Sequence, residues 1–168
     1  MRYKKPIAFL VVLALAGGAW FLVRARINAT ALAGTSHDIP KPHEDLPPHG
    51  GTAVGLGEDQ FNLELVRDPA AGTLKAFVLD GEMEDFIRIN AKVLEIDVEH
   101  EGRKDILKLL PVADAATGET VGDTCLFQTQ ADWLKHADHF KGVIRSLAIQ
   151  DQKFQSVAFA FPEGNAKD

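Results

Sequence analysis

The chain has 168 residues, enough for one ordinary domain and a tail, and its apolar fraction of 46% and charged fraction of 25% are typical of a folded protein. Its net charge of −6 is unevenly distributed, because all 24 acidic residues follow residue 34 whereas five of the 18 basic residues precede it. An acidic body argues against binding to nucleic acid or flat docking on anionic lipid, whose phosphates would be repelled. The single cysteine, Cys125, excludes an intramolecular disulfide and a thiolate zinc cluster, and its apolar neighbours indicate a buried structural thiol.

Residues 7–23 form an uncharged apolar run that follows three basic residues. This run is near the lower limit of length for a helix that crosses a bilayer core of about 30 Å. It ends in Trp20 and Phe21 and is followed by two arginines, which makes a poor site for a signal peptidase. We therefore expect residues 1–26 to be a retained transmembrane helix rather than a cleaved signal. The anchor residues include Ile7, Leu13, Trp20, Phe21 and Val23.

The orientation of this helix follows from the basic residues before it, which favour an N-terminus in the cytoplasm. The remainder of the chain would then lie in the periplasm of a double-membraned bacterium, attached to the inner membrane by a single span. Secretion after signal cleavage is the alternative. Residues 27–51 form a linker, and the four prolines between residues 35 and 51 favour an extended, polyproline-like spacer.

From residue 52 to residue 168 the dominant hydrophobic period is two, which is typical of β-strands. Residues 61–65 alternate in this way, residues 68–72 predict the turn of a hairpin, and residues 94–99 give the clearest half-buried strand. Only residues 131–139 have helical spacing. About eight short strands and one short helix predict a mainly β domain, an antiparallel immunoglobulin-like β-sandwich, with a small β-barrel as the alternative.

Catalytic motifs are missing from the sequence. There is no GxSxG nucleophile elbow, no HExxH pair and no P-loop lysine followed by serine or threonine. Gly55 and Gly57 predict a hairpin turn rather than a nucleotide site, because a third glycine and a following helix are missing. Most carboxylates fall on the polar faces of strands or in turns. We therefore expect no enzymatic activity.

Two sets of histidines could bind a metal ion. His37, His43 and His49 recur every six residues and could surround one Cu or Zn ion, although the entropy of ordering a linker would make that site weak. His136 and His139 would share one side of the predicted helix and could chelate a metal together. For both sets, solvated histidines without a ligand are the alternative interpretation.

The sequence PHGG at residues 48–51 stands directly before the first predicted strand. Its two glycines allow a backbone conformation closed to other residues and would hold His49 at the edge of the domain. This opening and the following strand with Leu63-Glu64-Leu65, together with the later turn at residues 118–123 and the closing residues 161–164, resemble a group of bacterial extracytoplasmic β-domains. The opening is also distantly similar to the N-terminal segment of periplasmic adaptor subunits of heavy-metal efflux pumps. The likeness is best over residues 48–80 and implies an envelope location and a link to metal homeostasis.

Two functions from different classes follow from these patterns. The first is a membrane-anchored extracytoplasmic module that binds a protein partner in the cell envelope and needs no cofactor. The second is a periplasmic metal-handling protein that binds Cu or Zn through His49 and another linker histidine, or through His136 and His139.

Overall fold

A computed structural model describes residues 46–165 of the chain. The described residues contain eight β-strands and one short 3₁₀ helix at Asp132–Lys135. The strands are β1 (Thr52–Leu56), β2 (Phe61–Asp68), β3 (Thr73–Asp80), β4 (Leu94–His100), β5 (Arg103–Pro111), β6 (Leu126–Gln130), β7 (Phe140–Ile149) and β8 (Gln152–Phe161). Within residues 46–165 no helix has the length and apolarity needed to span a bilayer. The predicted anchor at residues 7–23, as well as His37 and His43, lies outside the described residues.

All eight strands belong to one antiparallel sheet with the order β1-β2-β3-β6-β5-β4-β7-β8. The prediction of a mainly β, antiparallel domain is therefore confirmed. The sheet curls until it is nearly barrel-shaped, which is closer to the small barrel than to two stacked sheets. The immunoglobulin-like sandwich stays a prediction.

The two end strands of the sheet, β1 and β8, approach each other, and the chain after β8 links them. The side-chain amide of Asn165 donates to the carbonyl of Gly55 at 3.1 Å and accepts from its N–H at 2.8 Å, as a neighbouring strand would. The hydroxyl of Thr52 donates to the carbonyl of Pro162 at 3.0 Å. The closing residues of the domain thus occupy the outer edge of β1, which would otherwise be open to pairing with another chain.

The core lies on the inner face of the curled sheet, where alternate residues of each strand meet. On β2 the residues are Phe61, Leu63 and Leu65, and on β4 they are Leu94, Ile96 and Val98. Each of these six side chains is at most 7% exposed. The alternation that predicted the strands is therefore the alternation between the inner face and the outer face.

The helix predicted over residues 131–139 is wrong in length and type. The structure has a 3₁₀ helix of four residues, and His136 directly after it has left helical geometry with φ −122°. Arg67 on β2 donates to the carbonyl of Leu134 at 2.8 Å, and β7 begins at Phe140, so the chain turns back into the sheet before a second helical turn can form. His136 and His139 therefore do not share the side of a helix.

His100 is the last residue of β4 and is buried. Its ring stacks on Trp133 of the 3₁₀ helix, with centroids 4.0 Å apart and an interplanar angle of 9°. Trp133 in turn packs edge-on against Phe140. The imidazole is therefore part of the packing that closes this end of the domain.

Candidate functional site

A buried carboxylate on the outer face of the sheet is the most unusual feature of the domain. Glu64 lies on β2 between Leu63 and Leu65, whose side chains enter the core, so its own side chain points to the opposite face. Strand alternation predicts solvent there, yet Glu64 is 0% exposed. A buried carboxylate requires partners that replace its water, and these come from outside the sheet.

The partners of Glu64 are in the PHGG segment. The main-chain N–H groups of His49 and Gly51 both donate to Oε1 of Glu64, at 2.8 and 2.9 Å. The Nδ1 atom of His49 lies 2.8 Å from Oε2. One carboxylate thus binds the main chain and the ring of the same histidine, and it fixes the segment before β1 to the outer face of β2.

Glycine is required at positions 50 and 51 for two different physical reasons. The N–H of Gly50 closes a turn on the carbonyl of Pro47 at 2.9 Å with φ +66°, a left-handed conformation that side chains disfavour. Gly51 lies against β2 so closely that an added Cβ would be 2.6 Å from the carbonyl oxygen of Leu65. Any side chain at position 51 would push the segment away from Glu64.

Aromatic rings complete the layer over Glu64. Phe77 on β3 is directly opposite Glu64 in the strand register. The ring of His49 stacks on Phe77 with centroids 4.0 Å apart and an interplanar angle of 16°. Phe86 meets both rings at an angle, with centroid distances of 5.7 Å to His49 and 6.0 Å to Phe77. His49 is thus held by a carboxylate on one side and by an aromatic face on the other.

This arrangement determines which atom of His49 is open to a ligand. A carboxylate bound at Nδ1 favours the tautomer that carries its proton there, which leaves the lone pair of Nε2 free. The side chain of His49 is 40% exposed. An imidazole oriented by a carboxylate is the usual state of a histidine that binds a metal ion, so the geometry suits a single metal ligand.

A cleft of about 560 Å³ places His49 near a second predicted ligand, His139. Arg67 and Asp138 also line the cleft and are bound to each other at 2.6 Å, and Nδ1 of His139 lies 3.4 Å from a carboxylate oxygen of Glu163. Among residues 46–165, no three His, Cys, Asp or Glu side chains are grouped so that they could hold a metal ion. The structure thus brings two of the predicted histidines to one cleft without building a metal centre there.

The remaining predicted ligands are not part of this cleft. His136 is exposed, follows the 3₁₀ helix and does not line it. His37 and His43 are outside the described residues, so their membership of a site stays a prediction.

A second buried carboxylate, Glu119, organises the long loop between β5 and β6. Burial alone would raise the pKa of Glu119, but hydrogen bonds from the main-chain N–H and thiol of Cys125 and from the hydroxyl of Thr117, with the charge of Arg88, outweigh it and hold the pKa below its ordinary 4.5. Burial, helped by Glu119, raises the pKa of the Cys125 thiol to about 12. The predicted burial of Cys125 is confirmed, and its thiol has the properties of a structural group.

Sequence reasoning missed Glu64, Glu119 and the aromatic pair Phe77 and Phe86. The signal for Glu64 was its position in the Leu-Glu-Leu strand that accompanies the PHGG opening, because a motif that joins two separate segments often marks their contact. No family model matches the chain, and no curated protein or solved structure matches it.

Proposed function

We propose that the chain is a membrane-anchored binding module of the cell envelope that displays its β-domain outside the cytoplasm and has no catalytic activity of its own. The observation that carries the proposal is the exposed aromatic surface over Glu64. Phe86 is 45% exposed and the side chain of His49 40% exposed, although both belong to a layer fixed by hydrogen bonds to the sheet. Aromatic side chains that are held rigidly in contact with solvent are typical of surfaces that bind proteins.

The membrane part of the proposal depends on the sequence. Residues 7–23 supply the apolar run, the basic residues before it favour an N-terminus in the cytoplasm, and the prolines between residues 35 and 51 supply a spacer. The immunoglobulin-like sandwich is the other part of the proposal that depends on the sequence, and the single curled sheet is the observation that supports its alternative, a small barrel.

The anchor can be tested with the full chain expressed in a double-membraned bacterium. Extraction of membranes at pH 11 should leave the protein in the pellet, and protease added to spheroplasts should remove the C-terminal domain. Recovery in the soluble fraction, at a mass reduced by about 26 residues, would instead show that the N-terminal segment is a cleaved signal.

The binding role can be tested by crosslinking in native membranes followed by mass spectrometry. A recurrent neighbouring protein is the expected result. A chain that never crosslinks to another protein, at expression close to its natural level, would contradict the proposal.

A second candidate function is metal handling, and one observation favours it. Glu64 binds Nδ1 of His49, which leaves Nε2 without that partner, and His49 and His139 line the same cleft. A Cu or Zn ion at Nε2 would need further ligands from His139, from linker histidines such as His43, or from water. His136 together with His139 is the other predicted pair.

Calorimetric titration of Cu²⁺ and Zn²⁺ into the full chain in non-ionic detergent tests this candidate. His49→Ala should abolish a site at the cleft, and His139→Ala should weaken it. Loss of binding with His136→Ala and His139→Ala, but not with His49→Ala, would assign the ion to the His136 and His139 pair. Binding only at millimolar concentration would remove the metal function. Tight binding that survives all three changes would place the ligands elsewhere.

A further inference from the structure

The net negative charge of the described residues lies outside β4, β5, β7 and β8, which form the neutral half of the sheet. The strands and turns of residues 94–111 and 140–161 carry six basic and six acidic residues. The other described residues, which include β1, β2, β3 and β6, carry five basic and fourteen acidic residues. The aromatic surface of His49, Phe77 and Phe86 belongs to this acidic half, so a partner that reaches it meets a negative potential.

The loop after β3 carries three carboxylates that precede Phe86 in the sequence. Glu82, Glu84 and Asp85 are exposed, and no salt bridge within residues 46–165 involves any of them. By contrast, Asp97 on β4 is bound by the guanidinium of Arg145 at 2.8 Å. Within the described part of the chain, the carboxylates of this loop are therefore not paired with a basic side chain.

The same loop is rigidly held. One carboxylate oxygen of Asp80 accepts the main-chain N–H groups of Glu84 and Asp85, at 2.9 and 3.2 Å. The side-chain amide of Asn62 donates to the carbonyls of Asp80 and Gly81, at 3.2 and 3.0 Å. A surface that is already ordered loses little conformational entropy when a partner binds.

The rings add a geometry that suits a planar cation. His49 and Phe77 are stacked, and Phe86 stands at 61° to Phe77, so the three rings form a corner, and Phe86 directly follows the loop that carries the carboxylates. A guanidinium can lie against an aromatic face and bind a carboxylate through its edge at the same time, which an ammonium group does less well. Arginine is therefore the side chain that fits best.

We propose that this acidic aromatic surface, formed by His49, Phe77, Phe86, Glu82, Glu84 and Asp85, docks an arginine-containing basic segment of a protein partner. The inference rests on the proposed binding function and names the chemistry of its partner. A second copy of the chain would present the same acidic surface and be repelled, and an anionic membrane surface would be repelled as well. A basic peptide has the complementary charge.

Fluorescence anisotropy of a labelled peptide of four Arg-Gly repeats, titrated with the full chain in non-ionic detergent, tests the proposal. Saturable binding to the unchanged chain is expected, and a peptide of four Glu-Gly repeats should not bind. Phe86→Ala should weaken binding about tenfold, because the stacking face is lost. The triple change Glu82→Gln, Glu84→Gln and Asp85→Asn should weaken it at least as much.

A matched control separates the local surface from the average charge of the domain. Glu58→Gln, Glu101→Gln and Asp151→Asn remove the same three charges from exposed turns elsewhere and should change binding by no more than about twofold. An equal loss in this control, unchanged binding by Phe86→Ala, or no binding by the natural chain would overturn the proposal. If Phe86→Ala fails to fold, the triple loop variant decides, since its altered side chains make no hydrogen bond among the described residues.

Photo-crosslinking in native membranes distinguishes failure of this surface from failure of the binding function. p-Benzoylphenylalanine is placed at position 86 in one variant and at position 110, which carries an exposed leucine in the neutral half, in another. An arginine-containing peptide captured at position 86 supports the proposal. Capture only at position 110, or of a non-basic peptide at position 86, rejects the surface but keeps the binding function. Capture at neither position rejects both.

Discussion

Glu64 binds the main chain and the ring of His49 with the two oxygens of one carboxylate, each at 2.8 Å. The two residues are fifteen positions apart in the chain, and the contact joins the segment before β1 to the outer face of β2. Because Glu64 is fully buried, the contact is part of the folded structure rather than an ion pair in water. The orientation of His49, the stacking on Phe77 and the position of the aromatic surface all depend on it.

Glu64→Ala should lower the free energy of unfolding by about 3 kcal/mol, because the change removes the charged acceptor of two main-chain N–H groups, those of His49 and Gly51, and the partner of the His49 ring. Urea unfolding of the full chain, followed by circular dichroism, measures this loss. Glu95→Ala is the matched control, since Glu95 also lies on an outer face but is partly exposed and paired with Arg145. It should cost less than about 1 kcal/mol, and equal losses in the two variants would contradict the role given to Glu64.

Substitutions of Gly50 and Gly51 test how the segment before β1 packs against β2. Gly51→Ala should destabilise the domain by about 2–3 kcal/mol, because the new methyl group would press on the carbonyl of Leu65. Gly50→Ala meets no neighbouring atom and should cost only about 1 kcal/mol, for its left-handed φ. Gly50→Asn should cost still less, since asparagine tolerates that conformation. If thermal unfolding showed a larger loss of stability for Gly50→Ala than for Gly51→Ala, the close packing of Gly51 against β2 would be contradicted.

The sequence predicted the strands well because alternation reports the inner face directly, as in Leu94, Ile96 and Val98 of β4. It also predicted, from Gly50 and Gly51, that His49 is held at the edge of the domain. It could not predict the burial of Glu64, because the side chains that cover Glu64 come from separate segments and no local pattern records them. The order of strands was equally hidden, since β3 pairs with β6 across two intervening strands.

The helix predicted over residues 131–139 shows a different limit of prediction from the sequence. Trp133, Leu134 and Ala137 have helical spacing, and Leu134 is buried as that spacing requires. Arg67, more than sixty residues earlier, binds the carbonyl of Leu134 and Asp138 beyond it, so tertiary contacts end the helix after Lys135. Local spacing correctly indicated an apolar side but not the length of the element.

The raised pKa of Cys125 predicts a loss of stability at alkaline pH. In the unfolded chain the thiol ionises near its ordinary pKa of 9.0, whereas in the folded domain its pKa is about 12. The folded state therefore keeps a proton that the unfolded state loses, and stability is full below pH 9 and falls as the pH rises toward 12. Between pH 8 and pH 10, the free energy of unfolding of the natural chain should fall by roughly 1 kcal/mol relative to that of Cys125→Ala. A difference that stays constant across this range would contradict the burial of the thiol.

A side-chain carboxylate accepts one of the main-chain N–H groups of β5. β5 pairs with β6 only at Leu110 and Pro111, so the rest of the strand has a described neighbour on one side alone. Along that edge the N–H of Ile106 donates to the side chain of Asp105 at 2.7 Å instead of to another strand. A charged side chain that occupies an edge N–H is a known barrier to pairing between copies.

Asp105→Ala should therefore expose the N–H of Ile106 and allow two copies to pair along β5. Size-exclusion chromatography with light scattering, on the full chain in detergent, should show a dimer that grows with protein concentration. Asp151→Ala removes the same charge from a turn and should leave the distribution of species unchanged, which separates edge pairing from weaker charge repulsion. The further substitution Ile106→Pro in the Asp105→Ala chain should restore the monomer, because proline has no N–H to donate. A dimer that persists in that double variant would mean that the copies associate through some surface other than the edge of β5.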